Sequence, residues 1–232
     1  MAERPEHPDS DAPFPAELLI WLSPAFPIGS FAYSQGLEAA VARGWISDAV
    51  SLRAWLASLA AHGALRNDLI ILSLVRRAAD ERDIGAHAEL SAALQPSRER
   101  AEEALTQGQA FLAAYRAGWS GNAIRQFAAP ADTPITLPVA VGLAARAHAL
   151  PLEATLIAYA TAFQTNLVSA AIRLGVLGQF DGQRVLAELL PDLRAACDFA
   201  IRAGEDDLGG AAFAADLASI AHETQVTRLF RS

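Results

Sequence analysis

Ser34, in Ala-Tyr-Ser-Gln-Gly from Ala32 to Gly36, sits one glycine short of the pattern that lifts a nucleophilic hydroxyl above a hydrolase sheet. That chemistry needs a buried strand running into the serine, and here Pro24, Pro27 and Gly29 come first. His148 or His222 would have to serve as the base, and nothing in the chain order brings either close. A serine hydrolase using Ser34 is therefore the competing class, not the expectation. Metal chemistry is as thinly provided. His7, His62, His87, His148 and His222 never recur at the four-residue step that puts two imidazoles on one helical face, and Cys197 has no histidine within a turn. His222 with Glu223, or the run Glu205, Asp206, Asp207, has the donors to touch nickel in passing, since imidazole and carboxylate both suit that ion. The plainer reading of both is a half-buried histidine and a solvated acidic loop at a helix start. No permanently bound cofactor or metal is expected.

All 18 basic residues are arginine, which removes phosphate-loop nucleotide binding, pyridoxal Schiff bases and lysine general bases. A formal charge of −8 with scattered arginines repels a phosphate backbone, so nucleic acid is not an expected partner. The single cysteine excludes an internal disulfide framework and suits a reducing cytoplasm, and Met1 to Pro13 lacks the apolar core of a signal peptide. The expected location is cytoplasmic.

The elements that must position these residues are helical. Apolar residues recur at three- and four-residue steps, and no run of Val, Ile and Thr alternates with period two. The expectation is an all-α, single-domain bundle of roughly nine to ten helices over residues 16–224, after a flexible acidic, Pro-rich arm at 1–15 and before a tail at 225–232. Helices are expected over Ala16 to Leu22, Phe31 to Arg43, Ser47 to His62, Ala64 to Asp80, Arg98 to Ala117, Leu137 to Leu150, Leu152 to Leu174, Gly182 to Ala203 and Ala214 to Glu223, with Pro191 kinking or splitting the eighth. Pro130 to Pro138 reads as a connector. The span from Leu152 to Ile172 is apolar but carries Glu153, Gln164, Asn166 and several threonines, so it reads as a soluble core helix with no membrane role. Gln164 and Asn166 must then find hydrogen bonds, or line a wet channel or a ligand pocket, the last making the chain a helical ligand-binding regulator.

Two stretches break this texture. Ser23 to Glu38 reads S-P-A-F-P-I-G-S-F-A-Y-S-Q-G-L-E. Its prolines force an extended or turning path, and Ser30 is placed to cap the next helix. Gly36 inside that helix costs about 1 kcal/mol unless another backbone or a ligand comes close. At the other end, H-E-T-Q-V-T-R-L-F-R-S sets Leu229 and Phe230 between Arg228 and Arg231, an apolar pair flanked by guanidinium groups that either docks on its own domain or orders against a partner.

With both stretches in view, the chain resembles the UreF family of urease accessory proteins. The resemblance runs through S-P-A-F-P-I-G-S-F-A-Y-S-Q-G-L-E, A-L-R-N-D at Ala64 to Asp68, L-P-L-E-A at Leu150 to Ala154, N-L-V-S-A-A-I-R-L-G at Asn166 to Gly175, L-G-Q-F-D-G-Q at Leu177 to Gln183, D-D-L-G at Asp206 to Gly209, and the tail. It implies a non-enzymatic chaperone of urease maturation. Such a chaperone would form a homodimer, bind the UreD or UreH type accessory protein, recruit the GTPase UreG and help deliver nickel to apo-urease. It would influence GTP hydrolysis only through its partner. Nickel would be handled in passing by the complex. Carried over by motif, Phe26, Pro27, Gly29, Tyr33, Ser34, Gly36 and Glu38 belong to a surface facing UreG or to the nickel route. Asn166, Arg173, Gln179 and Gln183 fall in the middle motifs, with Asn166, Gln179 and Gln183 the implied polar path. Arg228, Leu229, Phe230 and Arg231 form the UreD contact.

Overall fold

Leu65, Leu69, Ile70, Ile71, Leu72 and Val75 are buried around helix Ala64–Arg77, so this helix needs cover on most of its circumference. The computed structural model, which describes residues 13–119 and 133–232, supplies that cover. Residues 1–12 of the expected arm and 130–132 of the expected connector lie outside the described residues. We number the helices α1 (Ala16–Trp21), α2 (Leu37–Ala42), α3 (Ala49–His62), α4 (Ala64–Arg77), α5 (Glu81–Ala93), α6 (Arg98–Gly118), α7 (Leu137–Ala147), α8 (Leu152–Arg173), α9 (Gln179–Arg202) and α10 (Phe213–His222). Short 3-10 turns span Ser30–Ala32 and Glu205–Asp207, and there is no strand among the described residues. Helix α4 packs on α3, α5, α7, α8 and α9, while α10 closes over α2 and α6. The bundle is all-α, as expected.

Local chemistry sets most helix starts. Asp48 accepts from the Ser51 amide (2.8 Å) while Ser51 Oγ accepts from the Asp48 amide, a reciprocal cap on α3. Asp80 caps α5 through the Asp83 amide and Ser97 caps α6 through the Arg100 amide, each worth about 1 kcal/mol. Gly108 lets α6 meet the segment before α7, since a Cβ there would sit 2.1 Å from the Ile135 carbonyl oxygen.

Three features differ from expectation. The helix foreseen over Phe31 to Arg43 is a 3-10 turn followed by α2, because Gln35 and Gly36 adopt left-handed φ of 57° and 80° and interrupt it. Ser30 opens that turn without a side-chain cap, and Gly36 stands at the N-cap of α2 rather than inside a helix. Helix α5 was not foreseen. Helix α9 runs unbroken through Pro191, whose exposed position leaves the orphaned carbonyl one turn earlier to water. The close approach expected at Gly36 is present: a Cβ there would lie 2.7 Å from the Ser219 amide nitrogen of α10.

Candidate functional site

The two unusual stretches meet. Residues 228–232 lie as a strap across the 31–38 segment, held mainly through the backbone. Glu38, at the start of α2, accepts from the amides of Leu229 (2.7 Å) and Phe230 (3.0 Å). The Arg231 amide donates to the Ala32 carbonyl, and the Ser34 amide and hydroxyl both donate to the Ser232 carbonyl (2.8 and 2.5 Å). Helix α6 supplies two more carboxylates one turn apart, on the same face. Glu99 receives Arg228, and Glu103 receives the Ser232 hydroxyl (2.6 Å), Arg100 and Gln107. His222, fully buried at the end of α10, joins the two rows: Nδ1 faces Glu99 at 2.6 Å and Nε2 faces Glu38 at 3.2 Å. Both ring nitrogens are thus held by carboxylates, which fixes the ring between α2 and α6. Arg173 from α8 stacks its guanidinium between the rings of Phe31 (3.5 Å) and Phe230 (4.2 Å) and donates to the Phe31 carbonyl.

This geometry gives the expected site residues different duties. Ser34 is fully buried, its hydroxyl donating to Ser232 and accepting from the Glu38 amide (3.3 Å), with no imidazole partner among the described residues; it is a strap anchor, not an activated nucleophile. Phe26, Tyr33, Ser34, Gly36 and Glu38 are turned inward, and of the seven leading-motif residues only Pro27 and Gly29 are exposed. Phe26 packs on Phe111 and Trp119. In the tail, Phe230 is buried while Arg228, Leu229 and Arg231 face solvent. His222 and Glu223 do not converge as nickel donors. Both His222 nitrogens are engaged, and Glu223 accepts from the Arg98 amide at the start of α6 (2.8 Å). Gln179 and Gln183 lie exposed on the first turns of α9, and neither lines the cavity that Asn166 borders. Gln164 is a structural amide, donating to the Leu56 carbonyl at 3.0 Å. Among the described residues no cluster of three or more His, Cys, Asp or Glu is placed to hold a metal ion.

The sequence reading missed Asp68, Glu99 and Glu103. The available signal was spacing: Glu99 and Glu103 stand four apart on a helix that opens next to a cap serine. Asp68 is different again. Buried on α4, it forms part of the wall of two cavities. One, of 70 Å³, is lined by Ser23, Gln35, Arg100, Glu103, Gln107 and Asn166. The other, of 200 Å³, is lined by Asn67, Ser91, Gln95, Gly209, Gly210 and Asp216. The Tyr159 hydroxyl donates to Asp68 at 2.8 Å. Burial pushes the Asp68 carboxyl up to about 6, Glu103 adding to the rise and Arg100 and Tyr159 opposing it.

Known proteins share this chain's pattern from end to end. The family model described as UreF matches residues 46–190. A urease accessory protein UreF from Rhodopseudomonas palustris (strain HaA2) is 49% identical over 218 residues, covering 93% of this chain and 92% of the relative. The chain belongs to the UreF family. Urease accessory proteins UreF from Bradyrhizobium sp. (strain ORS 278) and Methylobacterium radiotolerans are 48% and 45% identical, covering 93% and 97% of this chain and 90% and 100% of their own lengths. The UreF resemblance noted from the motifs thus extends over nearly the whole length, and the chain is a urease accessory protein in family. No described helix is long and apolar enough to cross a membrane.

Proposed function

We propose that the chain acts as a non-enzymatic maturation chaperone that binds a UreD-type accessory protein, dimerises, recruits the GTPase UreG and helps pass nickel to apo-urease. The observation that carries this reading is an apolar stripe. Phe213 (71% exposed), Leu217 (58%) and Ile220 (50%) follow one another along α10 at helical spacing, and Val226 and Leu229, after the helix, are exposed as well. Exposed apolar side chains at helical spacing, with arginines in the tail that follows, have the composition of a protein interface. It fits the UreD-type partner, with the strap holding one of its edges.

A second apolar surface is exposed at α1. Phe14, just before α1, and Leu19 and Ile20 on α1 are exposed at a groove of 370 Å³ that Phe14 and Leu19 line together with Leu22, Pro24, Ile157 and Thr161. Ridge and groove on one patch suit a two-fold contact, in which each copy's ridge fills the other's groove, and this is the surface we assign to the homodimer. The exposed edge of the leading loop, Pro27, Gly29 and Phe31, is left for UreG, on which the chain acts by binding one nucleotide state better than another. Nickel, as cargo, is assigned to the two cavities that meet at Asp68, where Asn166 supplies an amide and ligation stays weak enough for transfer.

Co-purification with the UreD-type protein tests the principal assignment. Leu217→Asp is expected to abolish capture with helical circular dichroism unchanged; an unimpaired pull-down refutes it. Deleting Arg228 to Ser232 is likewise expected to abolish capture. The competing hydrolase reading is tested by exposing the purified chain to ester probes, where turnover lost in Ser34→Ala would overturn the chaperone reading.

A further inference from the structure

We propose that Arg66 is a positioning residue for partner capture: by gripping the segment that leads into α10, it sets where the exposed apolar face of that helix stands. The proposal rests on the assignment of that face to the UreD-type partner and deepens it by naming what aims the surface.

Little of α10 is held by the core. Its buried side chains are Ala218, Ser219 and His222, while Phe213, Leu217 and Ile220 are turned to solvent. Alanine buries one methyl group where each of Leu65, Leu69 and Leu72 on α4 buries a whole side chain, so packing that fixes α4 leaves α10 under-determined. Polar ties fix the second half of the helix. The Ser219 hydroxyl meets that of Ser97 at 2.6 Å, His222 lies between Glu38 and Glu99, and Glu223 accepts from the Arg98 amide. The first half, which carries Phe213 and Leu217, needs ties of its own.

Those ties come from the junction of α3 and α4. Arg66 Nη1 donates to the carbonyls of Asp207 (2.5 Å) and Gly209 (3.0 Å), and Asn67 Oδ1 accepts from the Gly209 amide (3.1 Å). Next along, Gly210 lies so close to the His62 carbonyl that a Cβ would come within 2.6 Å of its oxygen, and the Ala211 amide donates to the same oxygen (2.9 Å). Helix α10 starts two residues later. The Arg66 guanidinium also lies over the Phe199 ring of α9, 4.7 Å from its centroid, which fixes the donor that the carbonyls meet. Lysine at 66 would keep a cationic donor and lose the planar face. Upstream, the exposed Glu205 carboxylate meets His87 of α5 at 3.0 Å, so removing Arg66 frees the stretch from 207 to 212 and leaves the turn before it tied. The A-L-R-N-D and D-D-L-G motifs thus meet in space, the first gripping the backbone of the second. A partner that must itself order this stretch binds more weakly than one that meets it already set.

The test measures affinity of the purified full chain for the UreD-type protein, beside amide hydrogen exchange of the chain alone. Arg66→Ala is expected to weaken capture about tenfold, with helical circular dichroism unchanged and faster exchange confined to residues 207–217. Arg66→Lys should recover part of both effects. Combined with Leu217→Ala, Arg66→Ala should cost less than the product of the two single losses, because a displaced helix no longer presents Leu217. Full multiplication of the two losses would mean that Arg66 acts through general stability, and overturns the proposal. Wild-type affinity in Arg66→Ala, with capture lost in Leu217→Asp, overturns the proposal and leaves the α10 surface standing. Capture intact in Leu217→Asp overturns the surface assignment itself, and the proposal with it. Should Arg66→Ala fail to fold, Asn67→Ala serves: it removes only the acceptor of the Gly209 amide, and an affinity unchanged in it overturns the proposal equally.

Discussion

The strap receptor and the cavity junction treat buried carboxylates in opposite ways. Glu38 accepts from two amides and His222, Glu99 from His222 and Arg228, and Glu103 from Ser232, Arg100 and Gln107. Asp68, as deeply placed, has one hydroxyl and open volume. Saturated carboxylates fix a structure, because each donor removed leaves a charge stranded. An under-supplied buried carboxylate has a destabilised ionised form, and groups perturbed in this way cluster at functional sites. The two regions are joined through Arg100 and Glu103, so a saturated set of carboxylates borders an under-supplied one.

The comparison can be broken most forcefully at the clamp. Glu38→Ala leaves two strap amides and His222 without their acceptor and should cost about 3–5 kcal/mol, read as a fall in thermal midpoint with early proteolytic loss of the strap. A loss below 1 kcal/mol would mean the receptor is not saturated in solution. Next in size is Asp68→Asn, with the opposite sign. The folded carboxyl titrates above its ordinary 3.8, at about 6, so unfolding releases a proton between these values. The relative stability that Asp68 provides is therefore complete below about pH 4 and is lost as pH rises through about 6. Denaturant titrations should find the variant no different at pH 4 and more stable by about 2–3 kcal/mol at pH 8, from the roughly 1.4 kcal/mol carried by each pKa unit. Equal stability at both pH values would put Asp68 among the ordinary carboxylates.

Smaller effects sharpen the contrast. Arg173→Ala removes the guanidinium stacked between Phe31 and Phe230 and should cost about 1 kcal/mol, with faster amide exchange confined to the strap and leading loop. Leu217→Asp, on the exposed stripe, should change stability by no more than about 0.5 kcal/mol while removing partner capture. If it unfolds the chain instead, that surface is covered from within.

Much of the fold was legible because helical periodicity survives in the sequence: α3, α4, α6 and α8 carry apolar residues at core spacing and begin or end near recognisable capping or breaking residues. Helix α5 was not, since Glu-Arg-Asp-Ile-Gly-Ala-His places only Ile84 and His87 inward in its first two turns and puts a glycine between them. Pro191 misled because a missing amide on a wet face is cheap. At the site, the unusual composition of both stretches could be seen, but not that they bind each other. A tail of Arg, Leu, Phe and Arg fits its own domain or a partner equally well until Glu38 is seen beneath its amides. Asp68, Glu99 and Glu103 were invisible for a related reason, as an acid in a helix reads as solvated until its neighbours in space are known.

One contact described earlier bears on how a docking event on α10 would be felt elsewhere. At Gly36 the chain rests on the backbone of Ala218 and Ser219 with no side chain between. Side-chain layers absorb small displacements by changing rotamer; bare backbone against bare backbone cannot. A load borne by α10 is therefore delivered undamped to residue 36 and the turn before it. Even alanine there, by wedging the surfaces apart, should disconnect the two sides before it unfolds either.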